Sequence, residues 1–438
     1  MKNLILTLLL LFPLVVFSQE TDFVAPPEKR NCSTMEVFDR LKAEDPGYEN
    51  RLDQIENEIQ NYIRSNPQHD MAVINIPVVV HVVYKTAAQN ISTAQIQSQI
   101  NILNQDFRKL NADVSGVPTA FQASVADCQI NFCLASRDPN GAATTGIVRK
   151  STTKTSFSTN DYVKYSSRGG FYTWGRKKNL YFWGFYFSGG GLCYSQFPGG
   201  AAATDGVVIG YKYFGNTGAA VYPFNKGRTA THEVGHWLNL RHIWGDDGTG
   251  CTGSDLVSDT PNQADENYGC PSFPTISCSN GPNGEMYMNY MDYTDDRCMF
   301  MFTTGQSSRM SAALNGTRAS LLSSNGCTSP VLNPGEIQDN NSPQLEEDIN
   351  KDVFRLYQNL PNPFNPTTSI SFNLPEGGVV SLKIFDISGR EVSSLIDSYL
   401  SAGLHTAQFD GAALSSGTYY YKLTNGNLTE IRKMILLK

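Results

Sequence analysis

The chain has 438 residues, 40% of them hydrophobic and 17% charged, with a net charge of −7 at pH 7. That length fits two or three domains, and that composition fits folded domains and excludes a largely disordered chain. The negative charge gives no reason to expect a nucleic-acid partner.

The first stretch, MKNLILTLLLLFPLVVFSQE, places Lys2 ahead of an apolar run from Leu4 to Phe17, with Val16, Phe17 and Ser18 before Gln19. It reads as a secretory signal, residues 1–18, cut after Ser18. The run is short for a membrane-spanning helix, which needs about 20 apolar residues. No later segment is long and apolar enough to span a bilayer, so no transmembrane segment is expected in the mature protein. Export permits disulfides among the nine cysteines.

Residues 33–64 read as two polar helices around a break at Asp45-Pro46-Gly47. They hold too few large apolar residues to form a core, so they must dock on something else. IPVVVHVVY (76–84) is a continuous β-branched run, as a strand buried on both faces requires, with His81 a satisfied core histidine. STAQIQSQINILNQDFRKL (92–110) predicts a long amphipathic helix capped by Ser92. Strand-like pieces follow at CQINFCLAS, LYFWGFYF and DGVVIGYKYF. In the first of these, Cys128 and Cys133 stand on opposite faces and are not expected to pair with each other. A helix then begins near Asn225. This order of strands and helices predicts an α+β domain.

That helix carries THEVGHWLNLRH (231–242), three of the chain's six histidines. His232 and His236 lie one turn apart on one face. In a continuing helix His242 would point about 240° away from His236, so the helix must end between Leu238 and His242 for all three to converge. Asn239 is the residue to do this, because Asn readily takes the left-handed conformation that ends helices. Three imidazoles around an open fourth position make a catalytic zinc site, and Glu233 beside the first ligand can act as general base.

Residues 243–290 are rich in Gly, Asp, Asn, Pro and Cys and show no periodicity. A loop that long is expected to be pinned by disulfides or ions. After Cys327 comes a polar, Pro- and acid-containing linker, residues 328–352. Beyond it, TSISFNL, VVSLKIFDI, LHTAQFD and TYYYKLTN predict a small all-β sandwich over 353–438, without a chemical constellation.

HEVGHWLNLRH resembles the extended zinc motif of the metzincin metallopeptidases, with Asn239 where Gly is usual. From Phe224 to Met310 the chain is similar to the pappalysins, the family that includes ulilysin-like secreted proteases. MNYMDYTDDRCMFMFTTGQ (288–306) resembles their Met-turn segment. The resemblance implies a metzincin-type catalytic domain at 65–327, with His232, His236 and His242 binding one zinc and Glu233 the base. Met291 becomes the Met-turn residue and Tyr293 the donor to the oxyanion. It also implies disulfides Cys251–Cys278 and Cys270–Cys298, and structural calcium in the long loop, for which Asp255, Asp259, Thr260 and Gln263 offer oxygens. Cys32 resembles the cysteine of a pro-segment, here 19–64, whose sulfur caps the zinc; Ser33 stands where Gly is usual. Asp296 corresponds to the acid in the pocket for the residue after the cleaved bond, implying cleavage before Arg and more weakly Lys, with self-cleavage at Ile63–Arg64. The C-terminal domain resembles the type IX secretion sorting domains, which carry proteins from the periplasm across the outer membrane.

The expectation is therefore a secreted zinc endopeptidase, made latent, acting on protein or peptide substrates and engaging the secretion machinery. Two other functions fit parts of the pattern: a surface adhesin or binding protein with a structural zinc, and a zinc amidase acting on non-peptide bonds. A structural zinc takes a fourth protein ligand and has no use for Glu233, and the resemblance favours peptide bonds.

Overall fold

A computed structural model of the chain describes residues 27, 29–66, 72–138, 141–173, 178–188, 191–328, 354–359 and 362–437. The secretory signal and residues 329–352 of the linker lie outside the described residues. The chain divides into two units, residues 1–332 and 333–438.

In the first unit the apolar run around Val80 forms β1 (Ile74–Tyr84), interior to a six-stranded sheet. Val78, Val80 and Val82 join one core, and Val79 and Val83 join another on the opposite face, which accounts for the unbroken hydrophobicity. His81 sits on that second face, fully buried and stacked on Tyr181 and Trp183. β2 (Ile130–Leu134) and β3 (Ile147–Ser151) pair with the two halves of β1. On the other side of β1 come β4 (Leu180–Phe185), then β6 (Val207–Gly210), then β5 (Cys193–Ser195) at the edge. All pairings are parallel except that of β5 with β6.

Helices α3 (Thr93–Phe107) and α4 (Arg228–Trp237) pack on the face lined by Val80, through Ile96, Ile100, Leu103, Ala230, Val234 and Trp237. Ser92 caps α3, its Oγ accepting from the Gln95 N–H at 3.1 Å. α5 (Thr304–Asn315) begins with a reciprocal box between Thr303 and Gln306.

The polar N-terminal helices form on either side of Asp45-Pro46-Gly47, as α1 (Thr34–Glu44) and α2 (Tyr48–Ser65). α1 packs near β5. α2 lays Ile55 and Ile59 on Ala312 of α5, and Glu56 accepts both Nη groups of Arg309 at 2.9 and 2.8 Å. Because α2 runs to Ser65, one residue past the expected end, the Ile63–Arg64 bond lies in its last turn. A peptidase would reach it only after that turn unwinds.

Among the described residues, 238–303 hold no α-helix or β-strand. Disulfides Cys251–Cys278 and Cys270–Cys298 close this region. A third bridge, Cys133–Cys327, ties the end of the unit to β2. Cys128 stands outside β2, before Gln129, whose φ is 55°; it is buried and free. Its separation from Cys133 thus owes as much to that backbone turn as to strand alternation.

The second unit is the expected sandwich. One sheet has β7 (Arg355–Leu356), β8 (Thr367–Leu374) and β11 (Gly403–Asp410). The other has β9 (Gly378–Phe385), β10 (Glu391–Leu400), β12 (Gly417–Asn425) and β13 (Leu428–Leu436). Leu356, Ile370, Phe372, Leu382, Ile384, Tyr421 and Leu423 fill the space between them.

Candidate active site

Every residue of α4 is buried, so this helix depends on its surroundings for its polar contacts. It starts at Arg228, three residues later than expected, because a distant carboxylate holds the preceding turn. Asp296 Oδ2 accepts from the N–H groups of Lys226 (2.7 Å) and Arg228 (3.2 Å), capping a helix N-terminus. Arg228 is ion-paired to Asp106 of α3 at 3.0 Å, and the Thr231 hydroxyl donates to the same carboxylate at 2.6 Å. At the other end Asn239 adopts φ 72°, and the Leu240 N–H returns to the Gly235 carbonyl at 2.9 Å. The chain doubles back there, as the convergence of His242 requires. Gly235 leaves room for the Met-turn: a Cβ on it would meet Met291 Sδ at 2.5 Å.

The three imidazoles meet edge to edge. His236 Nε2 lies 3.0 Å from Nε2 of both His232 and His242. Each Nδ1 faces an acceptor: the Tyr290 carbonyl (2.7 Å), the Leu240 carbonyl (2.8 Å) and the Asp246 carboxylate (2.6 Å), for His232, His236 and His242 respectively. Those acceptors place the proton on Nδ1 and leave three Nε2 lone pairs aimed at one point. Three lone pairs so close repel one another unless a cation lies between them. A tetrahedral zinc with Zn–N of about 2.0–2.1 Å calls for roughly this spacing, so the residues fit the metal. Burial pushes the His232 pKa down to about 3. Burial acts the same way on His242, but the Asp246 charge and hydrogen bond, and after them Cys32, outweigh it and lift His242 to about 10, so its Nε2 holds a proton until a metal displaces it. Trp244 stacks on the His242 ring at 4.3 Å and fixes its plane.

The other expected site residues gather round this point. Glu233 is fully buried, and its Oε2 accepts from the Thr34 hydroxyl at 2.8 Å. Burial, and after it the charge of the Cys32 sulfur, raise the Glu233 pKa well above the usual carboxylate range. The Tyr293 ring is 5.0 Å from that of His242, and its hydroxyl donates to the Cys32 carbonyl at 3.3 Å. Cys32 Sγ and one nitrogen from each of the three histidines all lie within 4.8 Å of one another. Burial opposes ionisation of this thiol, but hydrogen bonding to Cys193 and the three imidazoles outweighs it and holds the pKa well below the thiol range.

Asp296 is neither a solvated turn residue nor part of a cation cluster. It is fully buried, and Oδ1 accepts from Arg30 Nη2 at 2.6 Å. The Arg30 guanidinium also donates to the Thr294 carbonyl and to Thr229, and lies 4.9 Å from the Phe224 ring centroid.

The four oxygen-bearing residues assigned to calcium divide. Asp255 accepts from the Thr260 hydroxyl at 2.8 Å, and Gln263 Oε1 is buried without a hydrogen-bond partner. Asp259 instead serves α5, accepting from the Thr303 hydroxyl (2.7 Å) and the Gly305 N–H (2.9 Å). Both its oxygens are used in holding a helix start.

Sequence reading missed Arg30, Thr34, Cys193 and Asp246. Asp246 had a signal, standing four residues after a metal-ligand candidate. Arg30 had one too, as a basic residue two before Cys32. Thr34 and Cys193 had none.

Comparison with known proteins agrees with this geometry. The family model described as pregnancy-associated plasma protein-A, a peptidase family, matches residues 189–315. That for a secretion system C-terminal sorting domain matches residues 359–437. An extracellular metalloprotease of Pyricularia oryzae is 33% identical over 254 residues, covering 57% of this chain and 77% of that protein. A second, of Verticillium alfalfae, is 34% identical over 252 residues, covering 55% and 75%. Among solved structures, a mutant of Tannerella forsythia promirolysin is 48% identical with a TM-score of 0.63, covering 67% of this chain and 97% of that one. Mature mirolysin in complex with a cleaved peptide is 52% identical with a TM-score of 0.57, covering 57% and 96%. With a zinc-fitting histidine triad at the end of α4 and relatives matched over 77% and 97% of their own length, the chain belongs to the pappalysins, the pregnancy-associated plasma protein-A family, as a secreted zinc metalloendopeptidase with a C-terminal type IX secretion sorting domain.

Proposed function

We propose that the protein is made as a latent zymogen whose residues 19–64 fill the substrate cleft, and that the freed enzyme cuts on the N-terminal side of Arg, more weakly Lys. The observation that carries this reading is the buried pairing of Arg30 with Asp296, two residues from a sulfur beside the three histidines. Each expected catalytic group has a partner from the same N-terminal stretch: Glu233 has Thr34, Tyr293 has the Cys32 carbonyl, and Asp296 has Arg30. An Arg side chain that is stable in the pocket of the latent form is the side chain a substrate would place there. The match to promirolysin also spans a larger share of this chain than the match to mature mirolysin, 67% against 57%, as expected if the extra part is a pro-segment.

In the freed enzyme, zinc held by His232, His236 and His242 supplies Lewis-acid polarisation of the scissile carbonyl and of a water molecule. Glu233 takes the proton of the attacking water and delivers it to the leaving amine. Tyr293 donates its hydroxyl to the oxyanion of the tetrahedral intermediate. Asp296 orients the substrate by pairing with its guanidinium in a site closed to water. Calcium in the 251–298 loop belongs to the same reading, with Asp255, Thr260 and the unpartnered Gln263 oxygen as its donors and Asp259 reassigned to α5. The signal sequence and sorting domain give a route through the periplasm and across the outer membrane.

A peptide-library digest with the matured enzyme, run beside a zinc-loaded Glu233→Ala protein, tests this reading. Arg should dominate just after the cut, and Glu233→Ala should lose at least about 10²-fold in turnover. Bulky apolar residues at that position, or near-normal turnover without Glu233, would overturn it.

A further inference from the structure

Of the nine cysteines, six are paired; the free ones among the described residues are Cys32, Cys128 and Cys193. Cys193 has no place in the peptidase chemistry, yet it is buried beside the proposed general base, Glu233. Its sulfur, that of Cys32 and a carboxylate oxygen of Glu233 all lie within 4.8 Å of one another. The backbones are also in register. Cys32 forms a parallel β-bridge with Cys193, fixed by Ser33 N–H to the Cys193 carbonyl (2.9 Å) and Leu192 N–H to the Asn31 carbonyl (3.1 Å). Residues opposed across neighbouring strands stand about 4.7–4.9 Å apart, inside the Cα span of roughly 4.4–6.8 Å that disulfides accept. Both side chains point to the same side, toward Glu233, so closing the bond needs little more than side-chain rotation.

We propose that Cys32 and Cys193 form an oxidisable dithiol, which a peroxide converts to a disulfide that holds the N-terminal segment in the cleft covalently, in competition with zinc for the Cys32 sulfur. The competition, though not the disulfide, rests on the reading of Cys32 as the thiol that caps the zinc. Cys32 is 7% exposed and Cys193 fully buried, which favours a small oxidant over a bulky disulfide. The Cys32 sulfur attacks one peroxide oxygen, the O–O bond breaks, and Cys32 becomes a sulfenic acid as one water leaves. The Cys193 sulfur then attacks the Cys32 sulfur, the S–O bond breaks, and a second water leaves with the Cys193 proton. Two thiols are oxidised by two electrons, and one peroxide is reduced to two waters. Zinc on the histidines engages the sulfur that must start this sequence. A precursor oxidised before it acquires zinc would keep its N-terminal segment even after the chain is cut behind α2, until a reductant opens the bond.

The test uses the full-length precursor, zinc-loaded or stripped with a chelator, treated with hydrogen peroxide, denatured in alkylating reagent and mapped by mass without reduction. The expected result is a linked peptide pair containing Cys32 and Cys193, two hydrogens lighter than the sum of its parts, forming at least roughly tenfold faster in the stripped protein. It should be absent from Cys193→Ser, where Cys32 instead gains oxygen. If both cysteines of the stripped wild-type protein remain alkylatable after peroxide, the dithiol is overturned. If the link forms equally fast with zinc bound, the competition is overturned, and with it the assignment of Cys32 to the zinc, while the dithiol stands.

Discussion

Arg30 Nη2 and Asp296 Oδ1 stand 2.6 Å apart with both side chains fully buried, while Asp296 Oδ2 accepts the N–H groups of Lys226 and Arg228 at the start of α4. One carboxylate therefore serves the Arg30 guanidinium and the helix that carries His232 and His236. On the proposed reading of Asp296, specificity and metal geometry would share a residue, which constrains how each can be probed.

Asp296→Asn keeps an acceptor for the helix start and removes the charge. It should lower kcat/KM for cleavage before Arg by at least about 10²-fold, because a buried guanidinium left without its partner costs roughly 3–5 kcal/mol, and it should keep one zinc. Asp296→Ala should in addition lower stability by about 0.5–2 kcal/mol through loss of the cap. Chromogenic Arg and Lys peptides, zinc analysis and thermal melts check this. Unchanged Arg preference in Asp296→Asn would remove the pocket assignment.

Cys32→Ala and Arg30→Ala should each give a precursor that becomes active sooner than wild type, by different routes. The first removes the sulfur facing the histidines; the second leaves the buried Asp296 charge unpaired. The time course of casein hydrolysis after zinc addition reads the effect. Two mutants as silent as wild type would shift latency to simple covering of the cleft by α1 and α2.

Tyr293→Phe removes a hydroxyl that in this structure donates to the Cys32 carbonyl. In the mature enzyme kcat should fall by about 10²–10³-fold with KM little changed, since the bond to an oxyanion forms in the transition state. A rise in KM alone would mean that Tyr293 only holds substrate.

Asp246 orients the His242 ring through its Nδ1 at 2.6 Å. Asp246→Ala should weaken zinc binding by about 10–100-fold, measured by competition with a chromophoric chelator. Unaltered affinity would show that Trp244 stacking alone suffices to hold the ring.

His81 predicts the acid limb of the stability curve. Burial lowers its pKa from 6.5 to about 3, so the folded protein excludes a proton that the unfolded chain takes up. The stability this neutral ring contributes is whole above pH 6.5 and is lost progressively as pH falls toward about 3. His81→Phe, which keeps the stack on Tyr181 and Trp183, should flatten denaturant midpoints across that window. An equally steep loss in the mutant would place the acid sensitivity elsewhere.

The zinc triad was legible because helix geometry leaves few ways for HEVGHWLNLRH to use three histidines, and Asn239 supplies the required turn. The buried strand was legible because the run around Val80 has no polar side to offer water. The resemblance brought Cys32 to the zinc site, but the other contacts of its segment were not legible. The pairings of Arg30 with Asp296 and Thr34 with Glu233, and the approach of Cys32 to Cys193, join residues far apart in the chain, and no local periodicity encodes them. The start of α4 was misplaced for the same reason, since its cap is a carboxylate some 70 positions downstream. The hydrogen bonds of Asp259 to the start of α5 were not legible either, because in sequence an acid that caps a helix looks the same as one that binds a cation.

The Cys133–Cys327 bridge ties the end of the first unit, just ahead of the linker, to β2. A pull on the chain beyond Thr328, as in translocation led by the sorting domain, is therefore received covalently by β2 at Cys133, which lies beside Pro77 of β1. The load passes into the sheet without peeling α5 or the turns after it. Wherever the linker is later cut by proteolysis, the bridge stays on the peptidase side, so the unit keeps its own closure when it loses its address label.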